Sequence, residues 1–470
     1  MDAHIKEQLI AITGSAHVRT TVAQKLAYSY DATANFQALP DLIISPASIN
    51  EIQAIVKVCA EHNVPIISRG SGTNLAAGTT PTAGGVVLLF NRMNNILELD
   101  TENLTLTVQP GVITQEINEY VADAGLFYPP DPSSMSVSTI GGNVSENSGG
   151  LRGLKYGVTR DYVKALKIVL PNGELLTTGG KLAKDVAGYD LTSLFVGAEG
   201  TLGIVVEITL CLIPAPESKK TLLVFYDTLE KAALTVSSII AAKIVPAALE
   251  FMDKGTIEAV EEFMKIGLPT NCEAMLLIEQ DGDPAVVEKD MELVHKLCME
   301  HGATSTQMAQ SVEEAANLSV ARRVALSALA RKRPSTILED ATVPRSEIAK
   351  MVKAVQEIAQ KYDLLICTFG HAGDGNLHPT ILTDVRDEEE MARVEMAFAE
   401  IFHYAIQLGG TITGEHGVGE MKAPYLEWKI GKAGIDVMKR LKQAIDPFNI
   451  MNPNKIFAKS TKKRVVVHHG

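Results

Sequence analysis

Two short stretches constrain this chain more than any others: Phe369-Gly370-His371-Ala372-Gly373-Asp374-Gly375-Asn376-Leu377-His378-Pro379 and, further on, Thr413-Gly414-Glu415-His416-Gly417-Val418-Gly419. An apolar strand over Leu364–Phe369 delivers the first, and Gly373-Asp374-Gly375 permits a reversal that brings His371 and His378 together. A single histidine at a strand end is more often a structural side chain than a ligand. A pair folded back on itself, with Glu415 adding a hard oxygen donor, is a metal-ligand set. Two imidazoles and a carboxylate suit Fe2+, Zn2+ or Mn2+ and leave positions open for a substrate. His416, beside Glu415, remains for acid–base work.

A second constraint lies upstream. The loop Ser68-Arg69-Gly70-Ser71-Gly72-Thr73-Asn74 follows an apolar strand and is rich in small residues whose backbone N–H groups can converge on a phosphate. It lacks the Gly-x-Gly-x-x-Gly spacing of a Rossmann turn, and no amphipathic helix opens after it. Alone, it would read equally well as a surface turn. Three more such segments follow: Pro130-Asp131-Pro132-Ser133-Ser134, then Thr139-Ile140-Gly141-Gly142-Asn143 running on to Asn147-Ser148-Gly149-Gly150, then Gly197-Ala198-Glu199-Gly200-Thr201-Leu202-Gly203-Ile204-Val205. The segment from Thr139 reads as a loop, too long and polar to be a packing element. Several glycine loops in one region imply an extended, multiply charged ligand.

At 470 residues the chain exceeds what one hydrophobic core usually supports, so two or three domains are expected. A formal charge of −13 argues against a nucleic-acid surface. No apolar run reaches the roughly 18 residues of a membrane span. The start, Met1-Asp2-Ala3-His4, lacks a signal-peptide layout, and a cytoplasmic location is the expectation. Cys59, Cys211, Cys272, Cys298 and Cys367 form no Cys-x-x-Cys pair, so a four-thiolate iron–sulfur cluster is excluded and any electrons must leave through another molecule.

Periodicity predicts helical structure over residues 1–40, a strand at Leu42–Ile44, and a helix from Ser48 to His62 with a Ser48/Glu51 capping box. The prolines at Pro214 and Pro216 mark a boundary. Beyond it, strands and helices alternate from Thr221 to Gln307, a pattern compatible with a parallel or an antiparallel sheet. A helix then spans Val312–Arg331. The charged Arg331-Lys332-Arg333 reads as a solvated face, and the terminal Lys462–Gly470 stretch is assigned no role.

Taken together, the Arg-Gly-Ser-Gly-Thr loop, the Asp-Pro-Ser segment, Thr-Ile-Gly-Gly-Asn with Ser-Gly-Gly, Tyr156-Gly157 and Gly-Ala-Glu-Gly-Thr-Leu-Gly-Ile resemble the flavin domain of the vanillyl-alcohol-oxidase and p-cresol-methylhydroxylase superfamily. The resemblance runs from about Asp41 to Pro214. It continues, in Leu249-Glu250-Phe251-Met252-Asp253 and in the two histidine motifs, to FAD-linked D-2-hydroxyacid dehydrogenases of the D-lactate-dehydrogenase and glycolate-oxidase-subunit type. It implies an α+β fold: a two-part FAD-binding domain over 1–217, a ferredoxin-like α+β cap over 218–410, and a segment 411–470 that returns to the flavin domain and completes the active site. By resemblance, Ser68, Arg69, Gly70, Ser71, Gly72, Thr73 and Asn74 cradle the pyrophosphate of FAD. Pro130, Asp131, Ser133, Ser134, Thr139, Gly141, Gly142, Asn143, Asn147, Ser148, Gly149, Glu199, Gly203, Ile204, Val205 and Asn452 line the rest.

The same resemblance makes His371, His378 and Glu415 metal ligands, His416 the base near the flavin and Asn376 a polar contact to substrate. Arg322 corresponds to the arginine of a Trp-x-x-Arg motif that grips the substrate carboxylate, a task suited to a guanidinium fork, although this chain has Ser319 where the motif has tryptophan. The reaction implied is oxidation of a D-2-hydroxyacid, D-lactate first and glycolate next, to the 2-oxoacid by metal-assisted deprotonation and hydride transfer to flavin N5. Electrons would pass to electron-transferring flavoprotein, an iron–sulfur subunit or a quinone. A metal-dependent hydrolase on the same scaffold, or a noncatalytic flavin-binding electron-transfer subunit, are the competing readings; the first leaves the glycine loops unexplained and the second leaves the histidines unused.

Many members of the superfamily bond FAD covalently through a histidine in the first glycine loop or a cysteine in the second. Here Thr73, Asn74 and Ser148 occupy those regions, so FAD is expected to be noncovalent. Acid precipitation should leave a colourless pellet and a yellow supernatant; a yellow pellet would contradict the assignment.

Overall fold

The computed structural model describes residues 1–34 and 36–457, so the Lys462–Gly470 tail lies outside the described residues. The chain forms two compact units. One contains residues 1–148, 158–215 and the chain from 415 on; the other contains residues 149–157 and 216–414. The path therefore passes between units at four points. Among the described residues no helix is long and apolar enough to cross a membrane.

In the first unit, strands Leu42–Ile44, Val86–Leu89 and Ile66–Arg69 run parallel, and Val18–Arg19 pairs antiparallel with Leu42–Ile44. The N-terminal region is thus helical only in part, at Ala3–Thr13, Ser15–His17 and Val22–Leu26. Val18 is β-branched and finds a strand partner, which overrides the helical pattern around it. Helix Ile49–Glu61 follows the first of these strands and turns Ile52, Ile55, Val56 and Cys59 into the core. Ser48 Oγ accepts the Glu51 N–H at 3.2 Å, but the Glu51 carboxylate accepts from Ala47 N–H at 2.8 Å, one residue outside the expected reciprocal box.

A second sheet of this unit is antiparallel and five-stranded, in the order Ile96–Asp100, Thr105–Val108, Ile204–Cys211, Val163–Val169, Leu175–Gly179. Against the expectation of a loop, Ile140–Glu146 is a helix. Thr139 caps it by accepting the Gly142 N–H at 3.3 Å, and Asn147 ends it in a left-handed conformation at φ 57°. Ile140 and Val144, one turn apart, are buried and secure the helix despite the poor propensity of Gly141, Gly142 and Asn143.

The returning segment is stitched to the strand that leads into the first glycine loop and to Thr82 beyond it. Ile66 N–H donates to Ile450 O at 2.7 Å, and Asn452 N–H donates to Ile66 O at 2.8 Å. Glu420 accepts from Thr82 Oγ1 at 2.7 Å and from the buried Lys455 at 2.9 Å.

The second unit is built on one antiparallel sheet. Strands Ser305–Met308, Ser218–Tyr226, Ala274–Gly282 and Ala248–Asp253 are neighbours in that order. Numbered along the chain this is 4-1-3-2, the ferredoxin-like order, which settles the sheet as antiparallel. The sheet continues through Leu365–His371, Asn376–Thr383 and Ser335–Leu338. The helix expected over 312–331 is broken at Val324 into Val312–Arg323 and Ala325–Leu329.

Gly419 has φ 52°, and a Cβ there would lie 1.8 Å from the Ala76 carbonyl oxygen. Gly419→Ala should therefore destabilise the first unit by about 3 kcal/mol, from left-handed strain plus overpacking. Thermal unfolding checks this, with the expectation that FAD is lost at lower temperature than in the wild type.

Candidate active site

The strand ending at His371 and the strand beginning at Asn376 form a hairpin whose register pairs Phe369 with His378 and His371 with Asn376. Paired residues of antiparallel strands, and residues two apart along each strand, share a face. Phe369, His371, Asn376 and His378 therefore project on one side. The turn closes through Gly375 N–H to His371 O at 3.1 Å, and Gly373 N–H anchors it to Leu249 O at 2.9 Å. The imidazoles of His371 and His378 lie with ring centroids 5.1 Å apart at an interplanar angle of 89°, and each residue is 3% exposed.

The next strand of the sheet supplies a residue that the sequence marked only as part of a family segment. Glu250 is 1% exposed, and its carboxylate oxygens lie 2.8 and 2.9 Å from His371 Nδ1. Its Oε2 also lies 2.8 Å from Arg322 Nε. Arg322 is buried as well, with its guanidinium 4.7 Å from the Phe369 ring centroid. Phe369 thus provides the aromatic face that Ser319 cannot; the Ser319 hydroxyl instead bonds Ala315 O within its own helix at 3.1 Å. The available signal was Glu250 itself: a carboxylate in the largely apolar strand Ala248–Asp253 must be paired to be buried.

Asn376 Oδ1 accepts from Thr342 Oγ1 at 2.8 Å. Gly414 packs on this pair so closely that a Cβ would lie 2.3 Å from Thr342 Oγ1 and 2.7 Å from Asn376 Cγ. The buried Asp340 accepts the Gly414 N–H at 2.6 Å. Arg322, His371, Asn376 and His378 are thus brought together in the second unit, whereas Glu415 and His416 begin the segment counted with the first.

Within the first unit the glycine loops converge. Ser71 Oγ donates to Val137 O at 2.5 Å, which joins the first loop to the segment before Thr139. Asp31 braces the first loop by accepting from Asn74 Nδ2 at 3.1 Å, Thr79 N–H at 3.2 Å and Thr80 Oγ1 at 3.1 Å. Asn143 Nδ2 donates to Thr114 Oγ1 at 2.6 Å. Asn452 Nδ2 donates to Gly78 O at 2.9 Å and Glu199 O at 2.7 Å, tying the last segment to two of the loops. Ser68, Arg69, Gly70, Gly72, Thr73, Pro130, Asp131, Ser133, Ser134, Gly141, Gly142, Asn147, Ser148, Gly203, Ile204 and Val205 all belong to this unit; Gly149 falls in the other. The donor set of backbone N–H groups, hydroxyls, carboxamides and the buried Arg69 guanidinium fits a pyrophosphate-bearing ligand.

Glu199 holds the segment after His416: its carboxylate accepts the N–H groups of Val418 and Gly419, each at 2.7 Å. Burial pushes its pKa up, opposed by those two N–H groups and by Lys455 and Lys422. Glu146 is held well above the ordinary carboxylate range by burial and by the charges of Glu199 and Asp31.

Residues 215–456 match the family described as FAD linked oxidases, C-terminal domain, and residues 40–179 match the FAD binding domain. The chain belongs to the FAD-linked oxidases. Glycolate oxidase subunit GlcD of Bacillus subtilis (strain 168) is 64% identical over 462 residues, covering 98% of each chain. The D-lactate dehydrogenase of Anaerostipes hadrus is 35% identical over 440 residues, covering 91% of this chain and 92% of that one. The solved structure of p-cresol methylhydroxylase with substrate bound shares the fold, with a TM-score of 0.80 at 18% identity over 97% of this chain and 96% of that one. The protein is an FAD-linked oxidoreductase of the glycolate oxidase and D-lactate dehydrogenase type.

A raised Glu146 pKa contributes stability that is complete below the unfolded-state value, about 4.3, and is lost as pH rises through the folded value. Glu146→Gln, neutral at every pH, should match the wild-type melting temperature near pH 4 and exceed it increasingly toward pH 8. Equal melting temperatures at both ends would show that Glu146 carries no such penalty.

Proposed function

We propose that this oxidoreductase converts a D-2-hydroxyacid, D-lactate first and glycolate next, to the 2-oxoacid and hands the electrons to a separate acceptor. The observation that carries the reading is the buried pair His371 and His378 beside Arg322, in a chain whose relatives bear the names glycolate oxidase subunit and D-lactate dehydrogenase. With Nδ1 turned to Glu250, His371 offers Nε2, and His378 and Glu415 complete a ligand set for Fe2+, Zn2+ or Mn2+. Glu415 follows Gly414 directly, one Cα step of about 3.8 Å from the residue packed on Asn376. The metal, once bound, supplies Lewis-acid chemistry that lowers the pKa of a 2-hydroxyl, and FAD supplies the two-electron acceptor.

The chain's own residues do the rest. The Arg322 guanidinium carries further N–H donors beyond Nε, and in this reading they grip the substrate carboxylate. Asn376, whose oxygen accepts from Thr342, is in this reading a polar contact to the substrate. Neutral His416 removes the hydroxyl proton while C2 is held for hydride transfer. FAD is held noncovalently by the glycine loops of the first unit. Since the five cysteines lie without a cluster motif, an electron-transferring flavoprotein, an iron–sulfur subunit or a quinone reoxidises the flavin.

Anaerobic titration with D- and L-2-hydroxyacids tests this: D-lactate should bleach the flavin band and L-lactate should not. Failure of every D-2-hydroxyacid to bleach it would overturn the reading. His416→Ala should retain FAD and metal but reduce its flavin on the order of 100-fold or more slowly. Unimpaired reduction would remove His416 from its role.

A further inference from the structure

The contacts around Glu250 close on themselves. From His371 the ring centroids step 5.1 Å to His378 and 5.3 Å on to Phe369. Phe369 lies 4.7 Å from the Arg322 guanidinium, Arg322 Nε lies 2.8 Å from Glu250, and Glu250 lies 2.8 Å from His371 Nδ1. All five residues belong to one unit and all are buried. Glu250 is the sole carboxylate of this ring.

That position carries two consequences. A carboxylate facing Nδ1 favours the tautomer with the proton on Nδ1, so the lone pair sits on Nε2 and the imidazole is fixed in one orientation. The same carboxylate also separates two cations of the proposed reaction, the Arg322 guanidinium and a divalent metal on the histidines. Two such charges within one buried cluster repel strongly, because little solvent screens them. An anion bonded to both sides offsets that repulsion.

We propose that Glu250 is a positioning residue that aligns His371 for the metal and Arg322 for the substrate carboxylate at once, so that metal and substrate binding depend on one shared anion. This rests on the metal-assisted reading under Proposed function. It differs from a purely structural ion pair, which would affect folding but leave the affinity of the folded protein for metal unchanged.

The test uses metal-stripped, FAD-loaded, full-length protein titrated with Zn2+ against a chromogenic chelator. Glu250→Gln should weaken Zn2+ binding about 10- to 100-fold. At saturating Zn2+ its KM for D-lactate should rise proportionally more than its kcat falls. Glu250→Asp keeps the charge but withdraws it by one methylene; it is measured in case the glutamine variant does not fold, and should fall between wild type and Glu250→Gln. A folded, FAD-loaded Glu250→Gln that binds Zn2+ within about twofold of the wild type overturns the proposal, since losing the carboxylate that orients a metal-ligating histidine is expected to cost about tenfold or more; where only Glu250→Asp folds, a Zn2+ affinity and a KM for D-lactate both equal to the wild type's overturn it. Wild-type protein that binds no Zn2+, Fe2+ or Mn2+ overturns the metal reading itself, and this proposal falls with it.

Discussion

A carboxylate buried to 1% exposure is tolerated only when its charge is met, and Glu250 meets Arg322 on one side and His371 on the other. The second unit depends on this because the partners come from distant parts of the chain: a sheet strand, the Val312–Arg323 helix and the histidine hairpin. Removing Glu250 would take a carboxylate partner from both Arg322 and His371 at once. Strand register must hold as well. Phe251 faces Gly370 and Met252 faces Phe369 across neighbouring strands. A slip of one residue would turn His371 and His378 to the opposite face of the sheet.

Two other buried carboxylates hold the backbone on either side of Glu415 and His416, each within its own unit. Asp340 holds the backbone N–H of Gly414 in the second unit, and Glu199 holds those of Val418 and Gly419 in the first. Glu415 and His416 lie in sequence between these anchored residues. This gives the glycines flanking them a physical reason. Gly414 leaves room for Thr342 and Asn376, and Gly419 leaves room for the Ala76 carbonyl.

Much of the sheet architecture was legible because strands and helices declare themselves by period, as in Ile52, Ile55, Val56 and Cys59. The histidine hairpin was legible because Gly-Asp-Gly between two apolar strands can do little except reverse direction. What escaped was decided by tertiary context. The Ile140–Glu146 helix has two glycines and an asparagine among its seven residues, and its buried Ile140 and Val144 are visible as a helical pair only once a core exists to receive them. Val18–Arg19 became a strand because Leu42–Ile44 offered an edge, a long-range fact. Glu250 was overlooked for a different reason: within an apolar strand a glutamate carries no sign of its partners, and Arg322 lies far along the chain. Gly149–Gly157, contiguous with the glycine loops in sequence, joins the other unit through contacts such as Lys155 and Tyr156 with Asp281.

The fold alone does not choose a reaction. p-Cresol methylhydroxylase and alkyldihydroxyacetonephosphate synthase align with this chain at TM-scores of 0.80 and 0.76 but share only 18% and 19% of residues with it. A scaffold that hosts such different names must place its chemistry in side chains set on a common frame. In this chain Phe369, His371, Asn376 and His378 share one face of one hairpin, with Arg322 and Glu250 brought to it from a helix and the neighbouring strand. Changing the reaction therefore need not disturb the glycine loops or the strand order. On the reading proposed above, the groups to exchange would be those at positions 322, 371, 376, 378, 415 and 416, together with the buried carboxylate at position 250. A further cation on that face would have to share the Glu250 carboxylate with Arg322 and His371 or bring a counter-charge of its own, because an unpaired charge is costly to bury.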